Sequence, residues 1–115
     1  MTRFTTVAFT NAVDGKEQEY NAWYTDQHVH DVLAIPGVVS AQRFRIVGDH
    51  AANFDFSFMT LYEIETDDLA SVYKAIAERS GTPLMPSSDA VSSRKLFLDA
   101  EPIMAKLSGS RSADD

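Results

Sequence analysis

The segment FDFSFMTLYEIE, residues 54–65, carries large apolar side chains on both sides of an alternating pattern. Such a run predicts a strand, because successive strand side chains point to opposite faces of a sheet. One face would hold Phe54, Phe56, Phe58, Tyr62 and Ile64, and the other would hold Met59 and Leu61. A strand that is covered on both faces lies inside a sheet, so we expect this one to be central.

The length of the chain limits how this strand can be covered. A chain of 115 residues builds one modest core and buries only about two thirds of its unfolded surface. Its own helices can cover one face of a sheet, which leaves the other apolar face open. We therefore expect a homodimer in which a second copy packs its sheet against the first.

The remaining segments complete a regular order of elements. Alternation predicts strands at residues 3–11, 38–47 and 93–103. Helical spacing predicts a first helix of about five turns that a capping box of Asp14 and Glu17 begins. A second helix is predicted over 67–80 with Thr66 as its cap.

The order βαββαβ predicts an α+β fold, a sandwich of a four-stranded antiparallel sheet with two helices on one face. We expect a single domain over residues 1–107. The tail SGSRSADD, residues 108–115, is polar throughout and is expected to be disordered.

Composition excludes several classes of function. Lys and Arg number 10 against 17 Asp and Glu, and the net charge of -7 disfavours nucleic acid and anionic membrane surfaces as partners. With no cysteine, the chain has no disulfide and no thiol nucleophile. No long apolar run indicates a signal segment or a membrane span, so a cytoplasmic protein is expected. Phosphate-loop, dinucleotide-binding and zincin motifs are missing from the sequence.

The first helix carries an aromatic stripe of the kind that lines ligand pockets. Tyr20, Tyr24, His28 and Asp31 fall within an arc of roughly 80° on an α-helix, with Trp23 beside them. Apolar walls around one titratable group are typical of small-molecule sites. Burial lowers the pKa of an imidazole and a carboxylate raises it, so we expect His28 to titrate near neutrality.

His28 and Asp31 have the i, i+3 spacing of a base and the carboxylate that orients it, an arrangement suited to proton transfer. The residues alone favour a plainer alternative, a histidine packed in the core. His30 points about 200° away from His28 on a helix, so the two cannot chelate one ion. We therefore expect no metal site.

Two strand residues complete the candidate site. Arg43 could clamp a carboxylate or enolate oxygen, although pairing with Glu63 or Asp99 is the more ordinary role. Tyr62 could donate a hydrogen bond into a cavity, or it could simply pack in the core.

The stretch YNAWYTDQHVHDVLAIPGVVSAQRFRI, residues 20–46, resembles the dimeric α+β barrel superfamily, particularly its EthD-like group. The matching residues are Trp23, Tyr24, His28, Asp31, Leu33, Pro36, Gly37, Arg43 and Phe44. Segments at residues 61–68 and 81–91 also match. The likeness implies a ferredoxin-like subunit that pairs through its sheet and holds a pocket between sheet and helices.

Proteins of this superfamily include cofactor-free monooxygenases, polyketide cyclases, muconolactone isomerases, decarboxylases, haem-degrading enzymes and accessory proteins of catabolism. The fold does not choose among them. Where such enzymes place an acid or base on the first helix, the matching position here is His28.

These inferences combine into one prediction: a homodimeric, cofactor-independent enzyme of the lyase, isomerase, cyclase or decarboxylase type, acting on an apolar oxygenated compound of aromatic or polyketide-like structure. His28 would be the general acid or base, Asp31 would orient it, and Arg43 would hold an oxyanion. The substrate-binding residues would be Tyr20, Trp23, Tyr24 and Tyr62. The alternatives are a non-catalytic ligand-binding or accessory protein, and a monooxygenase that is cofactor-free or uses haem with His28 as its axial ligand.

Overall fold

The computed structural model describes residues 1–110. Its central element is a four-stranded antiparallel sheet. The strands are β1 (Thr2–Ala12), β2 (Val38–Arg45), β3 (Phe58–Thr66) and β4 (Val91–Ala100). They lie in the order β2-β3-β1-β4, so the predicted fold and the central position of the third strand are confirmed. Of the tail predicted to be disordered, residues 111–115 lie outside the described residues.

Two helical stretches cover one face of this sheet. The first is continuous along the chain but has three parts: α1 (Glu17–Trp23), a π-helical turn (Tyr24–His28) and α2 (Val29–Leu33). A short 3₁₀ turn (Asp49–Asn53) follows β2, and the helix α3 (Leu69–Arg79) follows β3. The observed order of strands and helices matches the predicted βαββαβ pattern.

The face of the sheet beneath the helices, here called the inner face, contains the core. Its buried strand residues are Thr6, Ala8 and Thr10 of β1 and Phe58, Thr60, Tyr62 and Ile64 of β3. Tyr20 of α1 packs on Phe58 with ring centroids 5.1 Å apart, and its hydroxyl is hydrogen-bonded to that of Thr10. Tyr20 is fully buried, so the first helix is anchored to the sheet at this point.

The opposite face, here called the outer face, is apolar across its middle. Its large side chains are Val7, Phe9, Phe44, Met59, Leu61, Leu96 and Leu98. On the edge strand β4, Leu96 and Leu98 are 38% and 52% exposed. At one end of this face, Arg3 forms ion pairs with Glu63 and Glu65. The chain therefore presents a half-open apolar surface bordered by charge.

The predicted position of two phenylalanines is wrong. β3 begins at Phe58, and Phe54 and Phe56 lie in the loop before it. Their rings pack on Phe9 of the outer face, with centroid distances of 5.1 and 6.0 Å. The alternation of strand side chains does not extend through this loop, so these residues do not share a face with Phe58.

The predicted helix caps are also wrong. Lys16 is the residue before the first helix, and no side chain caps that helix by a hydrogen bond. The predicted capping box of Asp14 and Glu17 is therefore not formed. At α3 the cap is Asp68, whose carboxylate accepts a hydrogen bond from the Ser71 backbone N–H at 3.3 Å. Thr66 lies outside the helix, where its hydroxyl accepts a hydrogen bond from the Asp68 N–H at 3.0 Å.

Candidate functional site

The π-helical turn shapes the first helix where the predicted site residues lie. Residues five apart on an α-helix point about 140° away from each other, whereas one π turn brings them to the same side. Trp23 and His28 accordingly stack, with ring centroids 4.6 Å apart and planes inclined by 19°. Tyr24 meets the same imidazole edge-on at 4.9 Å. Two aromatic rings therefore fix the orientation of His28.

Burial keeps the His28 imidazole uncharged at neutral pH. It lowers the pKa of His28 to about 4, because a buried ring is less stable in its charged form. The carboxylate of Asp31 opposes this shift, and the positive charges of Lys95 and Arg43 reinforce it. The expected titration near neutrality is wrong, since burial outweighs the single carboxylate.

Two cavities that share part of their lining open beside His28. The main cavity, of about 320 Å³, extends from His28 to Tyr62 and Tyr73. The side cavity, of about 150 Å³, is lined by Trp23 and by residues 85–88. Residues that line both are Tyr24, His28, Ser80, Lys95 and Phe97. The space lies between the helices and the inner face of the sheet, where the resemblance implied a pocket.

Three of the four predicted substrate-binding residues line these cavities. Tyr24 and Tyr62 line the main cavity, where their hydroxyl oxygens are 3.4 Å apart. Trp23 lines the side cavity, and its indole N–H donates to the Pro86 carbonyl at 3.2 Å. Burial raises the pKa of Tyr62, so its hydroxyl stays protonated. Tyr20 lines neither cavity and belongs to the core described above.

Asp31 does not contact His28 in the predicted manner. Both of its carboxylate oxygens accept hydrogen bonds from Nε2 of Gln27, each at 3.0 Å, and in the described part of the chain it makes none to His28. Asp31 therefore acts on the imidazole through charge, while Trp23 and Tyr24 set the orientation of the ring.

Arg43 is placed behind Tyr24 rather than in the ligand space. Its guanidinium carbon lies 4.4 Å from the centroid of the Tyr24 ring. The same group donates to Oδ1 of Asn21 and to the Thr25 hydroxyl, each at 3.0 Å. Arg43, the predicted oxyanion clamp, therefore lines neither of the two cavities.

In the part of the chain that the structure describes, the cation that lines both cavities is Lys95. Lys95 is not among the residues predicted from the sequence, because a lysine on an edge strand is ordinarily a solvated residue. The alternation of β4 contained the signal: Lys95 pairs with Thr10, and Phe97 pairs with Ala8, and both partners point to the inner face.

The far end of the main cavity contains a hydroxyl cluster. The Thr6 hydroxyl donates to Oδ1 of Asp99 at 2.7 Å, and the Tyr73 hydroxyl donates to the same oxygen at 2.5 Å. Burial and the bond to Asp99 raise the pKa of Tyr73 to about 12. The charge of Asp99 is thus satisfied by two hydroxyl groups of the chain itself, and Tyr73 remains a neutral donor.

Within residues 1–110, no group of three or more His, Asp or Glu side chains is placed to hold a metal ion. No helix within residues 1–110 is both long enough and apolar enough to cross a lipid bilayer.

No protein-family model matches this sequence, and no curated protein matches it. Solved structures do resemble it. A DABB family protein with a ferredoxin-like fold from Mesorhizobium loti is 14% identical, with a TM-score of 0.61 over 90% of this chain and 100% of that chain. An EthD family protein from Bacillus halodurans is 17% identical, with a TM-score of 0.51 over 88% of this chain and 99% of that chain.

A third similar structure is a mutant of MhuD with two manganese protoporphyrin IX molecules bound per active site. It is 16% identical, with a TM-score of 0.63 over 92% of this chain and 99% of that chain. These likenesses confirm the predicted ferredoxin-like fold, the fold of dimeric α+β barrel proteins that include an EthD family member. They concern the fold and not the reaction.

Proposed function

We propose that this protein is a small-molecule enzyme that transfers a proton on an apolar, oxygenated ligand held in the main cavity. The observation that carries the proposal is the setting of His28. Its imidazole is neutral, is fixed between Trp23 and Tyr24, and lines a cavity of about 320 Å³. A neutral imidazole can accept a proton at one nitrogen and donate from the other.

The low pKa of His28 limits how weakly acidic the transferred proton of the substrate can be. At about 4, this pKa keeps the ring in its base form at neutral pH but makes it a weak base. Such a base suits a proton that is already acidic, such as one on carbon between two carbonyl groups or on a phenol. Polyketide-like and hydroxylated aromatic compounds carry such protons, and lyase, isomerase, cyclase or decarboxylase chemistry moves them.

The cavity also limits the size of the ligand. Its volume of about 320 Å³ lies near the lower end of the usual range for ligand sites, roughly 300–1,000 Å³. With Tyr24, Tyr62 and Phe97 in its walls, it suits a compound of one or two rings. A porphyrin, with four pyrrole rings and two propionates, exceeds this space. We therefore do not propose a haem-using enzyme.

We also propose that the enzyme is a homodimer whose outer faces pack together. The open apolar side chains of this face, such as Leu96 and Leu98, would be costly to leave in water. In a twofold dimer the second copy supplies the same apolar face, so that each copy covers the other. Pairing through this face leaves the inner-face cavity of each copy to its own ligand.

A non-catalytic ligand-binding protein is the second candidate. The observation that favours it is the same pKa of about 4, because a weak base contributes less to proton transfer than one matched to neutral pH. In that case Trp23 and His28 would form one wall of a binding site, without a role for the imidazole in chemistry.

Hydrogen–deuterium exchange separates these two functions without knowledge of the full reaction. A panel of 1,3-dicarbonyl and hydroxylated aromatic compounds is incubated with the protein in D₂O, and the loss of each carbon-bound proton is followed by NMR. An enzyme of the proposed kind accelerates exchange at one position of its ligand. We expect His28→Gln to slow that exchange about 10²- to 10⁴-fold, the usual contribution of a general acid or base.

A matched control is His30→Gln, at an exposed histidine two residues along the same helix. It should leave the exchange rate unchanged. Exchange that is equally fast in wild type and His28→Gln would contradict the role of His28. Ligand binding without any accelerated exchange across the panel would favour the non-catalytic candidate.

A further inference from the structure

Lys95 stands out among the cationic side chains because it borders both cavities and lies on the same lining as His28. It belongs to the inner face of β4, where its register partner is Thr10. Phe97, two residues further along, lines the same space and provides an apolar wall. A positive charge and an aromatic surface thus border one ligand-sized volume.

No carboxylate of residues 1–110 forms an ion pair with Lys95, whereas Lys16 pairs with Asp89 at 3.6 Å and Arg94 with Asp55 at 2.6 Å. Asp99, the acidic residue on the same face of β4, is already hydrogen-bonded to hydroxyl groups. Lys95 is therefore available to a negative charge that the described chain does not supply.

The negative net charge of the chain makes a local cation such as Lys95 necessary for binding an anionic ligand. With a net charge of -7, the protein as a whole repels anions. An anionic ligand that nevertheless binds needs a local cation. Among residues 1–110, Lys95 is the cation on the lining of these two cavities, since Arg43 lies behind Tyr24. Charge-assisted hydrogen bonds from an ammonium group to a carboxylate are among the stronger polar contacts in proteins.

We propose that the ligand of this site is an aromatic carboxylate, with its ring in the main cavity and its carboxylate on the ammonium group of Lys95. The proposal rests on the small-molecule function proposed above and adds the chemical class of the ligand. In the same position, Lys95 would stabilise negative charge that develops on the ligand when His28 removes a proton. Lys95 would thus take the role predicted for Arg43 from the sequence.

The test uses two probes that differ in charge but hardly in shape, 1-naphthoate and the uncharged 1-naphthamide. Their binding to the full chain is measured by calorimetry, and the NMR signal of the single tryptophan indole, Trp23, reports whether they occupy the cavities. We expect wild type to bind 1-naphthoate more tightly than 1-naphthamide. Lys95→Met should weaken 1-naphthoate about 3- to 10-fold, as for a partly exposed ion pair, and leave 1-naphthamide within about twofold.

Two further variants sharpen the result. Lys95→Arg keeps the charge and should retain the preference for 1-naphthoate. Lys74→Met removes an exposed lysine of α3 that lines neither cavity, and it should behave as wild type. As Lys95 is exposed on an edge strand, the methionine variant should fold, which circular dichroism can verify.

Equal loss of both probes in Lys95→Met, or equal binding of both probes to wild type, would overturn the Lys95 proposal but keep the small-molecule site. If neither probe perturbs the Trp23 signal of wild type, the aromatic-carboxylate proposal fails. If the uncharged and hydroxylated compounds of the exchange panel also leave that signal unchanged, the proposed small-molecule function fails with it.

Discussion

The two faces of the sheet differ in chemical character: the inner face contains buried polar groups, and the outer face contains partly exposed apolar groups. The inner face is covered by helices but includes buried polar atoms that have no hydrogen-bond partner among residues 1–110, such as Nδ1 of His28 and the Thr60 hydroxyl. The outer face is apolar in its middle, with Leu96 and Leu98 left partly exposed. A buried polar group is stabilised by a hydrogen-bonding partner, whereas an open apolar group is stabilised by a covering surface. The proposed function accordingly places ligand binding and chemistry on the inner face and dimerisation on the outer face.

The strongest test of this division acts on the outer face. Leu61→Glu places a carboxylate in the middle of the proposed dimer contact, facing Val7 and Gln42 across the sheet. Burying an unpaired charge costs about 3–5 kcal/mol, so we expect the dimer to weaken by roughly 100-fold or more and the protein to elute as a monomer. Light scattering after size exclusion measures this directly.

The control for this variant is Val47→Glu, at a position 73% exposed and outside the strands. It should leave the mass unchanged. A wild-type chain that is monomeric at micromolar concentration, and that binds no dye for apolar surfaces, would contradict the assignment of the outer face to assembly.

The next test acts on the inner face through pH. The folded pKa of His28, about 4, lies below its ordinary value of 6.5, so the unfolded chain takes up a proton first as the pH falls. The contribution of the neutral His28 imidazole to the free energy of unfolding is therefore fully present above pH 6.5. It is lost as the pH falls from 6.5 toward about 4. We expect the loss to approach about 3 kcal/mol, since each unit of pKa shift corresponds to about 1.4 kcal/mol.

Because carboxylates also titrate in this range, the informative quantity is the difference between wild type and His28→Gln in urea unfolding at each pH. Glutamine has no such protonation, so the variant should lose less stability on acidification. Identical pH dependence in both proteins would show that His28 is not buried in the way described here.

The sequence predicted the sheet well, because alternation and helical spacing are local signals that tertiary packing reinforces here. The order of elements and the central third strand follow from them. The loop before β3 was assigned to the strand, because Phe54 and Phe56 continue the apolar alternation. Their packing on Phe9 is a long-range contact that the pattern does not contain.

The candidate site was predicted in part. His28, Trp23, Tyr24 and Tyr62 do line the cavities. The stacking of His28 on Trp23 could not be predicted, because the projection assumed 100° per residue and the chain makes a π turn at this point. Lys95 was not predicted for a different reason. Whether it lines the cavities depends on where the edge strand β4 lies relative to the first helix, and a local pattern does not contain that information.

The most direct test of the central claim, that the inner-face cavity is a ligand site built around a neutral His28, is an NMR titration of the His28 imidazole. The titration is made with and without 1-naphthoate. We expect a pKa of about 4 in the free protein, rising when the ligand's carboxylate binds nearby. A pKa at the ordinary value of 6.5 that the ligand does not change would contradict the claim.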